Sequence, residues 1–279
     1  MESLGIDVNE AVAWFVEEDK EQYVLVIVSE AHAEEWKTRL PLAVRRCYLS
    51  DERLKVRALE LEGEVSETET ERHRSIIAAK LPDPGSVMAG DFGEILAFIY
   101  QAAAAHPAHV VGPKKWRLRQ DRNKPTPHSD VVQFVLPTWP TPSDQDEVLC
   151  AEVKVKSTPS KTYSPICKAI VGCDSDRTSR LMRTLLWLKE RALCERVGAV
   201  RIPQLNRFIN ATEGPPFKKS FSAIAVVRSD LVDTELEDAP KQRPLHYRLV
   251  VISVPDLHTL YNTVFATAKE SLPAAEGSP

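Results

Sequence analysis

The chain has 279 residues, 43% of them hydrophobic, enough for a substantial core in one large domain or two small ones, which excludes disorder as its dominant state. Its 36 basic and 40 acidic residues leave a net charge of -4, so any surface that grips nucleic acid or an anionic membrane has to be local. No apolar stretch approaches the roughly 18 residues of a membrane helix, and the acidic opening MESLGIDVNEAVAWFVEEDKE is unlike a signal peptide. The cysteines Cys47, Cys150, Cys167, Cys173 and Cys194 are odd in number, lack a CxxC pair and sit mostly among apolar neighbours. Buried thiols in a reducing, cytoplasmic compartment are therefore expected, rather than a disulfide framework or a zinc knuckle.

In chain order, the pattern predicts a short helix from Asn9 to Glu17, a β-branched strand over Tyr23 to Val28, and a helix from Glu30 to about Arg46. Residues 51–75 are rich in charge, with an alternating strand expected at Leu54 to Leu61 and then a polar connector, which places a domain boundary near residue 64. Past the turn residues Pro82 to Gly85, a helix from Asp91 to Ala105 carries Glu94 in its first turns. Strands follow at Asp130 to Leu136 and Val148 to Lys156, joined by a Pro- and Asp-rich loop. An amphipathic helix from Asp176 to Arg196 presents Leu181, Leu185, Leu188 and Ala192 at helical spacing. Strands at Phe221 to Val227 and Tyr247 to Val254 precede a last helix from Pro255 to about Lys269. The small-residue end of the chain, 270–279, reads as a frayed tail. This order predicts an α/β fold, a mixed central sheet with helices on both faces.

The residues most suggestive of chemistry are Asp130 and the triplet Glu152-Val153-Lys154. In a strand, Glu152 and Lys154 project to one side while Leu149, Ala151, Val153 and Val155 project to the other. If the two strands pair, Asp130 approaches Glu152, and two carboxylates with the Val153 carbonyl form the oxygen-rich set that Mg2+ prefers. Phosphodiester hydrolysis needs such a metal, plus a cation to orient water or to stabilise the charge growing on phosphorus, a part that Lys154 fits. Just upstream, Lys114, Lys115, Arg117, Arg119, Arg122 and Lys124 concentrate six basic residues in eleven, the kind of local patch that neutralises phosphates. Trp116 within it either stacks on a base or packs in the core.

An Asp-headed strand followed by Glu-x-Lys in the next strand, after a helix carrying a Glu, resembles the PD-(D/E)XK nuclease superfamily over about residues 90–200. Glu94, Asp130, Glu152 and Lys154 stand in the matching positions, and Ser129 replaces the proline of the superfamily's name. Within it, the run from Gly93 to Tyr100, the basic stretch and Ala151-Glu152-Val153-Lys154 are similar to the nuclease subunit of Hachiman antiphage defence systems. The resemblance implies a restriction-endonuclease-like core over residues 64–269, with residues 1–63 as an N-terminal α/β extension that either docks a partner or completes the sheet. It also implies a Mg2+-dependent deoxyribonuclease, Mn2+ being an alternative ion, with Glu94, Asp130, Glu152 and Val153 on the metal. The partners it implies are DNA and a superfamily 2 helicase that restrains the nuclease.

Blander readings compete with these. Glu152 and Lys154 also suit a cross-strand ion pair, Glu94 a solvated first-turn acid, His128 a surface histidine, and the basic run a solvated loop. Arg177, Arg180 and Arg183 face DNA or a partner, or only solubilise their helix, and Lys156 shares the face of Lys154 as its substitute. A non-catalytic adaptor that binds DNA or the helicase, and a stand-alone restriction-type endonuclease, are the competing functions. Nothing resembles a recognition helix or zinc finger, so low sequence specificity is expected.

Overall fold

A computed structural model describes residues 1–194 and 198–273. The strands β1 (Val16–Asp19), β2 (Val24–Ile27), β3 (Val110–Val111), β4 (Val131–Val135), β5 (Glu147–Lys156), β6 (Lys218–Arg228) and β7 (Arg248–Val254) form one sheet in the order β1-β2-β7-β6-β5-β4-β3. Strands β2, β7, β6 and β5 run parallel, while the pairs β1 with β2, β5 with β4 and β4 with β3 are antiparallel. The central β6 and β7 carry the apolar runs Ala223–Val227 and Leu249–Ile252 because helices cover both of their faces, as parallel strands require.

The helices are α1 (Val8–Val12), α2 (Glu30–Tyr48), α3 (Asp51–Glu60), α4 (Glu69–Lys80), α5 (Ser86–Ala104), α6 (Pro165–Ser175), α7 (Leu181–Cys194), α8 (Ile202–Ile209), α9 (Val232–Leu236) and α10 (Leu257–Ala268). One face of the sheet packs Val26, Ala151, Val153, Ile224, Val226 and Val250 against α2, α5 and α10. On the other face, Val132, Phe134, Val148 and Cys150 meet Leu181, Leu185 and Leu188 of α7 and Leu205 and Phe208 of α8. Beside them, Ile166, Ala169 and Cys173 of α6 cover Ala223, Ala225 and Val251. Strand alternation thus sends successive residues of β5 into different cores, with Ala151 and Val153 toward α5 and Glu152 and Lys154 toward α6 and α7.

The α/β class and the mixed sheet are as the sequence predicts; several elements differ. Residues 1–63 join the same sheet, one of the two readings given for them, since β2 pairs with β7 and α2 lies along α10. The expected Asn9 to Glu17 helix stops at Val12, and Val16–Asp19 instead pairs as an edge strand with β2. Residues 54–61 are helical, not a strand: Ser50 caps the Arg53 amide, and Leu54 and Ala58 are buried one turn apart. The polar connector contains α4, started by a capping box in which Thr68 and Glu71 satisfy each other's backbone amides. The predicted helix from Asp176 is preceded by α6, and a π-turn over Asp176–Arg180 joins α6 to α7. Glu195 and Arg196, the last residues of that expected helix, lie outside the described residues. So do 274–279 of the expected tail, whose earlier part is held by Arg45 donating to the Ser271 carbonyl. Three cysteines are buried, but Cys167 and Cys194 are exposed thiols. Among the described residues no helix is long and apolar enough to cross a membrane.

Phe134 of β4 stacks on Phe208 of α8 at 4.8 Å and is fully buried. Phe134→Ala is expected to destabilise the fold by about 3–5 kcal/mol, read as a lowered midpoint in urea with an unchanged m-value.

Candidate active site

The β4–β5 register sets Val131 opposite Ala151, which leaves Asp130, at the head of β4, beside the Glu152–Lys154 stretch. Asp130 Oδ2 accepts the Val153 amide at 2.9 Å and the Lys154 ammonium at 3.1 Å. The same ammonium lies 2.5 Å from Glu152 Oε1 and donates to the Val153 carbonyl at 2.9 Å. Three oxygens from two side chains and one peptide group therefore converge on one cation. Despite its burial, the Asp130 and Glu152 charges hold Lys154 well above its ordinary pKa. Burial first, and then the Asp130 charge, push the Glu152 carboxyl up, against the pull of Lys154 and Arg180.

Glu152 has a second cation. Arg180, the last residue of the π-turn, pairs with the Glu152 carboxylate, donates to the Gly172 carbonyl at 2.7 Å and holds Asp176 at 2.6 Å. The π-turn inserts an extra residue into the helix, which re-aims Arg180 toward the sheet. Gly172 is the other part of the cradle, since a Cβ there would overlap the Glu152 carboxyl group. The head of β4 is tied to the same network: Ser129 Oγ bonds Asp176 at 2.6 Å and its amide donates to Thr184 Oγ1 at 3.1 Å. Sequence reasoning left Arg180 among three undecided arginines and had no role for α6. Two signals were available there, Ser164-Pro165 as a helix start and an isolated Gly172 within a helical run.

Glu94 is not brought into this oxygen set. Helix α5 lies on the Val153 face of the sheet, where Gly93 allows close packing on Val155, whereas Glu152 and Lys154 project from the other face. The Glu94 carboxylate instead accepts the Trp116 indole N–H at 3.1 Å and lies 3.4 Å from Lys115. Burial pushes it up to about 8, with Lys115 opposing and the Asp130 charge adding.

The basic run differs most from expectation, because most of it faces inward. Lys114 is buried with its ammonium 3.8 Å from the Phe98 ring centre, and Lys115 donates to the Ser129 carbonyl at 2.8 Å. Arg117 donates to the Arg46 carbonyl, and Arg119 makes a two-pronged pair with buried Asp91, both bonds 2.6 Å. Arg122 pairs with Asp83, and Lys124 is the exposed member, near Asp121. The patch braces the loop before β4 against α2 and α5, because cations that leave water need fixed partners. Trp116 accordingly packs against Phe98 in the core. Lys156 is no substitute for Lys154, since it is buried against Glu235 and the Ser160 and Tyr163 carbonyls.

His128 adopts φ 73, a left-handed conformation, and its ring lies 5.5 Å from that of Trp187. Burial, then Lys115, Arg180 and Arg183, hold its pKa below the usual histidine value.

Among the described residues no group of three or more His, Cys, Asp or Glu side chains is disposed to hold a metal ion. What is present is a set of two carboxylates and a carbonyl with the Lys154 ammonium standing where a cation sits. Oxygen donors carrying two negative charges fit a hard divalent ion. Beyond these contacts, the chain matches a known family: the family model HamA covers residues 8–268. No curated protein matches it.

Two outcomes follow from the buried charges. Asp91→Ala leaves Arg119 buried without its partner and is expected to cost about 3–5 kcal/mol in chemical denaturation. Glu94 contributes stability that is fully present below its ordinary pKa of 4.5 and lost as pH rises through about 8. In EDTA, the melting temperature of wild type relative to Glu94→Gln is therefore expected to fall from pH 5 to pH 9. A pH-independent difference would remove the elevated carboxyl.

Proposed function

Because the chain belongs to the HamA family, a component of Hachiman antiphage defence, we propose that it is the nuclease of such a system, a Mg2+-dependent deoxyribonuclease with a PD-(D/E)XK core. One observation carries this reading: Asp130, Glu152 and the Val153 carbonyl direct three oxygens at a single cation. Mg2+ takes such a set, and Mn2+ is its ready substitute. A divalent ion bound there supplies polarisation of the phosphoryl oxygen and a water of lowered pKa.

The chain's own residues do the rest. Asp130 and Glu152 would hold the ion with the Val153 carbonyl, and the peptide amide of Val153 fixes the Asp130 rotamer. Lys154, the cation that these oxygens hold, would serve as the protonated group that stabilises charge developing on phosphorus. Arg180, itself pinned by Asp176, keeps Glu152 aimed at the site. Glu94, its carboxyl pushed up to about 8 by burial, stands outside the oxygen set and braces Trp116 and Lys115. A superfamily 2 helicase partner suits an enzyme whose resting carboxylates are closed by internal ion pairs, since activity then awaits a signal.

That same closed cluster is what a non-catalytic adaptor would show, so the test has to separate the two. Supercoiled and linear plasmid are incubated with the full chain in Mg2+, Mn2+ or EDTA, with and without the helicase encoded beside it. Metal-dependent cutting is expected, falling about 100-fold or more in each of Asp130→Asn, Glu152→Ala and Lys154→Ala. Absence of cutting under every condition, with the variants binding DNA as wild type does, would establish the adaptor.

A further inference from the structure

We infer that the loop over residues 157–164, between β5 and α6, grips the DNA phosphate backbone beside the carboxylates, with Lys161 and Tyr163 as its phosphate-binding residues. This deepens the nuclease reading above and rests on it. Such an enzyme needs surface cations next to its reacting groups, and the basic run before β4 is largely turned inward. The loop begins three residues after Lys154, where β5 ends.

Its composition suits phosphate. Six of its eight residues carry hydroxyls, Lys161 carries an ammonium, and residues 157–173 include no Asp or Glu. Lysine, serine, threonine and tyrosine side chains are among those that meet phosphate oxygens without reading bases. Thr158, Ser160, Lys161 and Thr162 are exposed, and Lys161 makes no ion pair among the described residues. An unpaired surface cation takes the place of counterions on the phosphates it meets, and their release drives binding.

The loop is held stiffly although its outer residues face solvent. Buried Lys156 donates to the Ser160 carbonyl at 2.8 Å and to the Tyr163 carbonyl at 2.7 Å, its charge balanced by Glu235. Arg228 donates to the Ser157 carbonyl at 3.0 Å, and the Ser164 hydroxyl accepts the Cys167 amide at 3.3 Å. Both ends and the middle are thereby fixed, so a phosphate meets donors already in place and little ordering is lost on binding. The same anchoring places Tyr163, whose half-buried phenol lies in the field of Lys154, Asp130, Glu152 and Glu235. Burial raises that phenol above its ordinary value, with Lys154 opposing and Asp130 adding, so it stays a neutral O–H donor. A backbone held by Lys161 and Tyr163 together would pass beside the Asp130 and Glu152 pair.

Binding is read by fluorescence anisotropy of the full chain with fluorescein-labelled duplexes of two unrelated sequences, in EDTA, from about 50 to 200 mM salt. Lys161→Ala is expected to weaken both duplexes alike, about 3- to 10-fold, and to reduce the slope of log affinity against log salt by about one. Tyr163→Phe, which removes a neutral donor, is expected to weaken binding about 2- to 10-fold with the slope unchanged. Lys241→Ala, in the loop before β7, removes the same charge elsewhere and is expected to bind as wild type does. Should Tyr163→Phe fail to fold, Lys161→Ala carries the test, its side chain being exposed. Unchanged affinity and slope in Lys161→Ala, or an equal loss in Lys241→Ala, would overturn the assignment. Plasmid cutting in Mg2+ is followed in parallel: unchanged binding by Lys161→Ala in a chain that cuts removes this inference alone, and weakened binding in a chain that never cuts removes the nuclease reading alone.

Discussion

Two carboxylates held close together in a place with little water repel each other, and both lose solvation. The neighbourhood of Asp130 and Glu152 is organised around that difficulty. Lys154 lies between them, Arg180 approaches Glu152 from behind, and Asp176 then holds Arg180. Each of these groups would be costly alone in this position, and each is tolerated because the next one is present. The elements carrying them inherit the constraint. Helix α6 has to come close enough for a glycine to touch Glu152, the helix has to bulge before α7 to deliver Arg180, and β4 has to begin at a residue tied to α7 through Ser129.

A comparable network secures the loop that precedes β4. Arg119 with Asp91, Lys115 with the Ser129 carbonyl and Lys114 over Phe98 bury three cations within a few residues. They anchor the segment that leads into β4, while the β4–β5 register sets Asp130 beside Glu152. Charge density in a sequence says that cations are present; it does not say which way they point. That depends on whether acids and carbonyls elsewhere in the chain are brought within reach.

The same distinction separates what was legible in the sequence from what was not. Period-two alternation around Glu152 and Lys154 fixes their shared side regardless of the rest of the chain, and the apolar runs of β6 and β7 identify buried strands. The pairing of β4 with β5 follows from proximity along the chain. By contrast, the position of Glu94 depends on which face α5 covers, and the role of Arg180 depends on a π-turn that no hydrophobic period reveals. The Leu54 to Leu61 stretch alternates like a strand, yet its Ser50 cap and one-turn spacing of Leu54 and Ala58 win once α3 has a surface to pack on. Residues 1–63 were ambiguous for a related reason, since their partner strand lies at the far end of the sequence.

That last pairing has a temporal meaning. Val24 of β2 sits opposite Val250 of β7, and α2 rests on α10. During synthesis, the apolar strand Val24–Ile27 emerges early but finds its parallel neighbour only when nearly the whole chain has left the ribosome. Contacts so distant in sequence form late and slowly. The β2 edge of the sheet is therefore completed last, after the local β4–β5 pair that brings Asp130, Glu152 and Lys154 together.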